Sequence, residues 1–129
     1  MQSERARDTS NSLGRSKKLA AVFYKTAAGN EPVRDWLMEL DKGDRFIVGT
    51  DNRKLELGGR TTGRPTIGSL GDGMWEVRST ISRGKVEARV LVQVEAGVVV
   101  LLHAFIKSTR TTPKREIDRA RRRWADMRR

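Results

Sequence analysis

The chain has 129 residues and a formal charge of +11, from 27 Lys or Arg against 16 Asp or Glu. That length predicts one domain with a single modest core. With no cysteine and one histidine, it excludes a disulfide scaffold or thiolate metal site and argues against a zinc or di-metal centre, so no metal or other cofactor is expected.

No apolar run is long enough to span a bilayer, and no signal-peptide core lies near the N-terminus, so a soluble, cytoplasmic protein with no membrane partner is expected. A pI near 11.0 points to a nucleic-acid backbone as partner. The charge is uneven. Residues 107–129 hold ten cations and three acids, and residues 1–18 hold five cations and two acids.

Residues 1–18 are Ser, Arg, Asn and Asp with almost nothing apolar, which predicts a flexible basic arm. The folded domain is expected over 19–129. Leu19 to Tyr24 is a short apolar run, a first strand. Asn30-Glu31-Pro32 predicts a helix start with Asn30 as cap, and Val33, Trp36, Leu37 and Leu40 form its apolar stripe. A second helix is expected from Asp44 to Leu57, weakened by Gly49 and closed by Gly58-Gly59. A loop with Gly63, Pro65 and Gly68 leads to the Gly71-Asp72-Gly73 turn.

Three strands follow between Met74 and Lys107, marked by period-2 alternation. Trp75, Val77 and Ile81 oppose Glu76, Arg78 and Thr80. Val86, Ala88, Val90, Val92 and Val94 oppose Glu87, Arg89, Leu91 and Gln93. The third strand is apolar on both sides, so its facing depends on register. A turn at Arg83-Gly84 places Arg78 opposite Arg89. At Glu95-Ala96-Gly97, a two-residue loop would set Arg89 opposite Ala104. A three-residue loop sets Val94 opposite Val98 and Arg89 opposite His103, and it aligns more of the apolar face. The preferred register is therefore a row Arg78–Arg89–His103, with Lys107 further along.

Like charges directly opposed destabilise a sheet. The row is either an anion site or a solvated face whose cations are spread by Glu76 and Glu87. A last helix opens at Thr112-Pro113, with Thr112 as cap. Ile117, Ala120, Trp124 and Met127 make its apolar stripe, and Arg119, Arg121, Arg122 and Arg123 lie on its other faces. The expected fold class is α+β: a small twisted, mainly antiparallel sheet with helices packed on one side.

Five segments in this order resemble the RelE/HigB-like toxins of type II toxin–antitoxin systems, in their phage-derived killer-protein-like branch. They are Glu31–Leu37, Leu70–Arg78, Ala88–Leu91, Leu101–Lys107 and Thr111–Ala120. The resemblance implies a RelE-like toxin fold and a metal-independent endoribonuclease acting on mRNA at the ribosome. In that chemistry the RNA 2′-hydroxyl attacks the adjacent phosphate, leaving a 2′,3′-cyclic phosphate and a 5′-hydroxyl. It further implies a cognate antitoxin, often a helix-turn-helix protein.

Arg78, Arg89 and Lys107 match the family's basic strand positions and suit a phosphorane clamp. His103 is a candidate general base or a structural histidine, with Glu76 and Glu87 as rival bases. Arg110, Lys114 and Arg115 are candidate RNA-backbone contacts. Phe105 is a candidate stacking platform or a filler beneath the last helix. The chain departs from the family at Ala88, often aromatic in relatives, and at Lys107-Ser108, where paired lysines are common. Its one tyrosine, Tyr24, excludes mechanisms that use a late tyrosine. Two other readings stay open: a non-catalytic nucleic-acid-binding module, and a ParE-like gyrase poison of the same fold.

Overall fold

The computed structural model describes residues 19–57 and 66–128. The arm expected over residues 1–18, the Gly58-Gly59 helix stop, Gly63 and Pro65 lie outside the described residues. The elements are β1 (Ala20–Phe23), α1 (Pro32–Met38), α2 (Lys42–Glu56), β2 (Ile67–Gly71), β3 (Met74–Ile81), β4 (Val86–Glu95), β5 (Val98–Lys107) and α3 (Lys114–Met127). They build the expected α+β class, a mainly antiparallel five-stranded sheet of order β1-β5-β4-β3-β2, with α1 and α2 on one face and α3 on the other. All neighbours are antiparallel except β1, which runs parallel to β5.

Strand alternation sorts the apolar residues into two clusters. Val77, Val90, Val92 and Leu101 face α1 and α2 on one side, where Val33, Val48 and Leu55 meet them. Met74, Leu91, Val100, Leu102 and Phe105 form the second cluster with Ala120, Ile117 and Trp124 of α3. Among the described residues no helix is long and apolar enough to cross a membrane.

Some expected boundaries move. The cap position of α1 is Glu31 rather than Asn30, whose backbone N–H donates to Thr26 Oγ1 at 3.0 Å. The cap position of α3 is Pro113 rather than Thr112. Gly68 is not in a loop: Gly68 pairs with Glu76 within β2. The Gly-rich composition of this stretch hid the strand.

The β3–β4 register is as expected, with Arg78 opposite Arg89. The β4–β5 register is not, and the row Arg78–Arg89–His103 is corrected. Glu95 pairs with Val98, so the loop is two residues, Ala96 and Gly97, at φ 52° and 79°. Positive φ at both positions matches the right-handed twist of a hairpin, which is why the shorter loop wins. The ladder then slips by one residue between Val92 and Leu91, leaving Leu102 as the extra residue of a bulge. Beyond it Arg89 faces Phe105, and His103 faces Leu91.

Ala96 bears the cost of a left-handed conformation that Asn tolerates better. Ala96→Asn is expected to stabilise the chain by about 1 kcal/mol in urea denaturation. An unchanged or lower midpoint would show that the hairpin does not hold Ala96 in that conformation.

Candidate functional site

Three cross-strand rows form the sheet face that carries α3: Thr80–Glu87–Lys107, Arg78–Arg89–Phe105 and Glu76–Leu91–His103. Where this face passes the N-terminal end of α3 there is a cleft of about 650 Å³. Four cations line it, Arg78, Arg89, Lys107 and Arg110, against one carboxylate, Glu76.

Arg89 is only 6% exposed. Its Nη1 donates to Glu87 Oε1 at 3.2 Å and to the Ala88 carbonyl at 3.0 Å, while its buried Nε has no hydrogen-bond partner. Such an orphaned donor costs stability unless something accepts from it. Arg78 Nε donates to Glu76 Oε2 at 3.0 Å. Glu76 is buried, and its other oxygen accepts from the Thr112 hydroxyl. Thr112 therefore ties the start of α3 to the cleft instead of capping the helix. Lys107 Nζ donates to the carbonyls of Thr109 and Arg110, the latter at 2.7 Å, folding the segment after β5 over the cleft rim.

Glu87 is pulled below the ordinary carboxylate range, first by the Thr80 hydroxyl at 2.8 Å and also by Arg89 and Lys107. It is half exposed and outside the cleft lining. Of the two rival bases, Glu76 is the one inside the cleft. Gly68, expected only as a loop residue, carries no site role in the sequence reading, although glycine within a strand signals close approach. A Cβ there would stand 2.3 Å from Arg78 Nη2, so the bare backbone makes the bed for this guanidinium.

The other expected residues lie apart. His103 is buried beneath α3, with Nε2 2.7 Å from Glu116 Oε1 and its ring stacked on Phe105 at 5.3 Å between centroids. A carboxylate only accepts, so Nε2 carries the proton. Burial pushes His103 below the usual histidine value; Glu116 opposes this, and Arg123 and Arg119 add to it. Phe105 is buried as well, outside the cleft lining. Lys114 pairs with Asp118 at 2.7 Å, and Arg115 lies 3.8 Å from Glu116; both are exposed on the first turn of α3, beyond the cleft.

The family model for phage-derived Gp49-like proteins (DUF891) matches residues 35–125. The chain belongs to this family. Gp49-like proteins are a toxin family of toxin–antitoxin systems, which implies a cognate antitoxin as partner. No curated protein matches this Gp49-like chain. The matched span holds every residue that lines the cleft.

Two outcomes follow from the geometry. Gly68→Ala meets only the far end of a flexible side chain, so the unfolding midpoint should hold while inorganic phosphate binds several-fold more weakly; unchanged phosphate affinity would show that Arg78 does not need this bed. Because the folded state holds His103 neutral, the unfolded state binds the proton first. Stability should then fall as pH drops from about 7.5 through about 6.5 to 5.5, and His103→Gln should flatten that dependence in chemical denaturation.

Proposed function

We propose that this Gp49-like toxin is a RelE/HigB-like, metal-independent endoribonuclease that cleaves mRNA on the ribosome and so blocks translation and growth. The observation that carries the reading is the cleft where Arg78, Lys107, Arg110 and the nearly buried Arg89 converge against a single carboxylate. Guanidinium groups present paired donors to phosphate oxygens. Preorganised cations of this kind stabilise the charge that builds on a phosphorane, commonly the largest catalytic contribution.

The roles divide by position. Arg78 and Arg89 hold the scissile phosphate, and Lys107 stabilises its developing charge. Glu76, held by Arg78 and Thr112, takes the proton of the attacking 2′-hydroxyl as its oxygen bonds to phosphorus; the bond to the 5′-oxygen breaks, and that oxygen takes a proton from solvent. This leaves a 2′,3′-cyclic phosphate and a 5′-hydroxyl. Arg110 meets the RNA backbone at the rim, and Lys114 and Arg115 extend the contact along α3. His103 holds Glu116 of α3, and Phe105 stands beside Arg89 on the neighbouring strand.

Controlled expression of wild type beside Arg78→Ala/Arg89→Ala, with 5′-end mapping of RNA, tests the reading. New 5′-hydroxyl ends inside coding regions should appear with wild type and vanish in the double variant. Glu76→Gln should slow cleavage by about 10²–10⁴-fold while RNA still binds. Intact mRNA with strongly salt-dependent RNA binding would favour a non-catalytic binder. Arrest of replication before translation would favour a gyrase poison.

A further inference from the structure

The outer face of α2 breaks the pattern of a helix laid on a sheet. Val48, Asn52 and Leu55 are buried on its inner side, so the side opposite should be polar. Instead Phe46 is 73% exposed and Leu57 is 53% exposed. Among the described residues Phe46 is the most exposed of the large apolar side chains. The two stand eleven residues apart, three helical turns, and so share one line about 16 Å long. Apolar residues scattered singly over a surface need no explanation, but residues aligned along one helix mark a contact.

The same line carries Lys42, Gly49, Thr50 and Arg53, which lie four residues before Phe46 and three, four and seven after it. All four are exposed, and no Asp or Glu falls among them. Neither Lys42 nor Arg53 has an ion pair among the described residues. At Gly49 the helix is notched, because a Cβ there would meet nothing within 4 Å. Gly49 also lines a cavity of about 150 Å³ between β1, α1 and α2. Its walls are apolar, from Val22, Phe23, Leu37 and Leu101, apart from Glu56 and Asn52, whose buried Oδ1 has no hydrogen-bond partner. A cavity of this size holds one apolar side chain.

We propose that this face is the docking site for an acidic amphipathic helix of the cognate antitoxin. A helix laid along α2 covers Phe46 and Leu57, sends an apolar side chain over Gly49 into the cavity, and sets carboxylates against Lys42 and Arg53. Charge selects the occupant. A second copy would bring Lys42 and Arg53 against their own kind across a two-fold axis. An RNA backbone would meet the two cations but not the apolar line beside them. The inference rests on the antitoxin that the family implies and not on the ribonuclease reading, because no residue of this face lines the cleft.

The test is calorimetric titration of the full chain with its cognate antitoxin, beside variants on the outer face. Phe46→Glu should weaken the complex about a hundredfold while the helical circular dichroism is unchanged. Lys42→Glu/Arg53→Glu should weaken it about tenfold and flatten its dependence on salt. Gly49→Leu closes the notch, so it should weaken the complex several-fold while raising the unfolding midpoint through helix propensity. Loss of binding in that variant is then not loss of fold.

A photo-cross-linking side chain in place of Thr50 identifies what lies on the face. Capture of a helical antitoxin segment with net negative charge supports the assignment. Capture of a basic antitoxin segment or of a second copy of this chain overturns it. So does unchanged antitoxin affinity in Phe46→Glu, whether or not that variant loses binding to RNA or to vesicles containing phosphatidylglycerol.

Discussion

Two arginines stand directly opposite each other on neighbouring antiparallel strands, and much of the molecule is arranged around tolerating that. Arg78 and Arg89 would repel if left alone. Each is tethered by the carboxylate two residues earlier on its own strand, Arg78 by Glu76 and Arg89 by Glu87. Period two makes this possible, because i and i−2 share a face. The other face locks the arrangement. Val77 pairs with Val90 and Trp75 with Val92 beneath α1 and α2, and a one-residue slip would drive the arginines into that core. The apolar side of β3 and β4 thus enforces the charged side.

This also explains which parts of the site were legible. β3 and β4 alternate cleanly, so Arg78 against Arg89 follows from the residues. β5 is apolar on both faces because both faces are covered, and alternation then carries no register. Its register is decided by Ala96 accepting a left-handed conformation and by Leu102 bulging out. Leu101 packs toward α1 and α2, and Leu102 packs toward α3. The bulge lets both find a core, at the expense of the continuous ladder, and it moves His103 one row from Arg89. Gly68 was hidden for a different reason: its signal is the space it leaves, which only Arg78 reveals.

The last helix meets the cleft at its N-terminal end. Ile117, Ala120 and Trp124 seat α3 on the second cluster, as the periodicity predicts. Thr112, just before it, bonds Glu76, and Glu116 in its first turn meets His103. Arg121 and Arg123 add bonds to the carbonyls of Leu70 and Leu102, joining the helix to β2 and β5. Two of its arginines therefore serve docking, and burial lowers the pKa of Arg123. Part of the positive charge of residues 107–129 therefore works inside the fold.

The side chains that break local rules fall in two places. A fold selected for stability alone would put apolar residues at Arg89 and Asn52, since a buried donor or acceptor without a partner costs more than its hydrogen bonds return. Each sits in a cavity wall, and each is held in orientation by its remaining bonds, Arg89 by Glu87 and the Ala88 carbonyl, Asn52 by the Val48 carbonyl. Chemistry distinguishes the two: the first cavity is lined by four cations and one carboxylate, the second by apolar residues with Asn52 and Glu56. Local inconsistency that is fixed in place, rather than relaxed by turning the side chain outward, is what a ligand-shaped constraint leaves in a sequence. The two orphaned atoms therefore lie on opposite sides of one sheet, kept apart by the alternation of its strands.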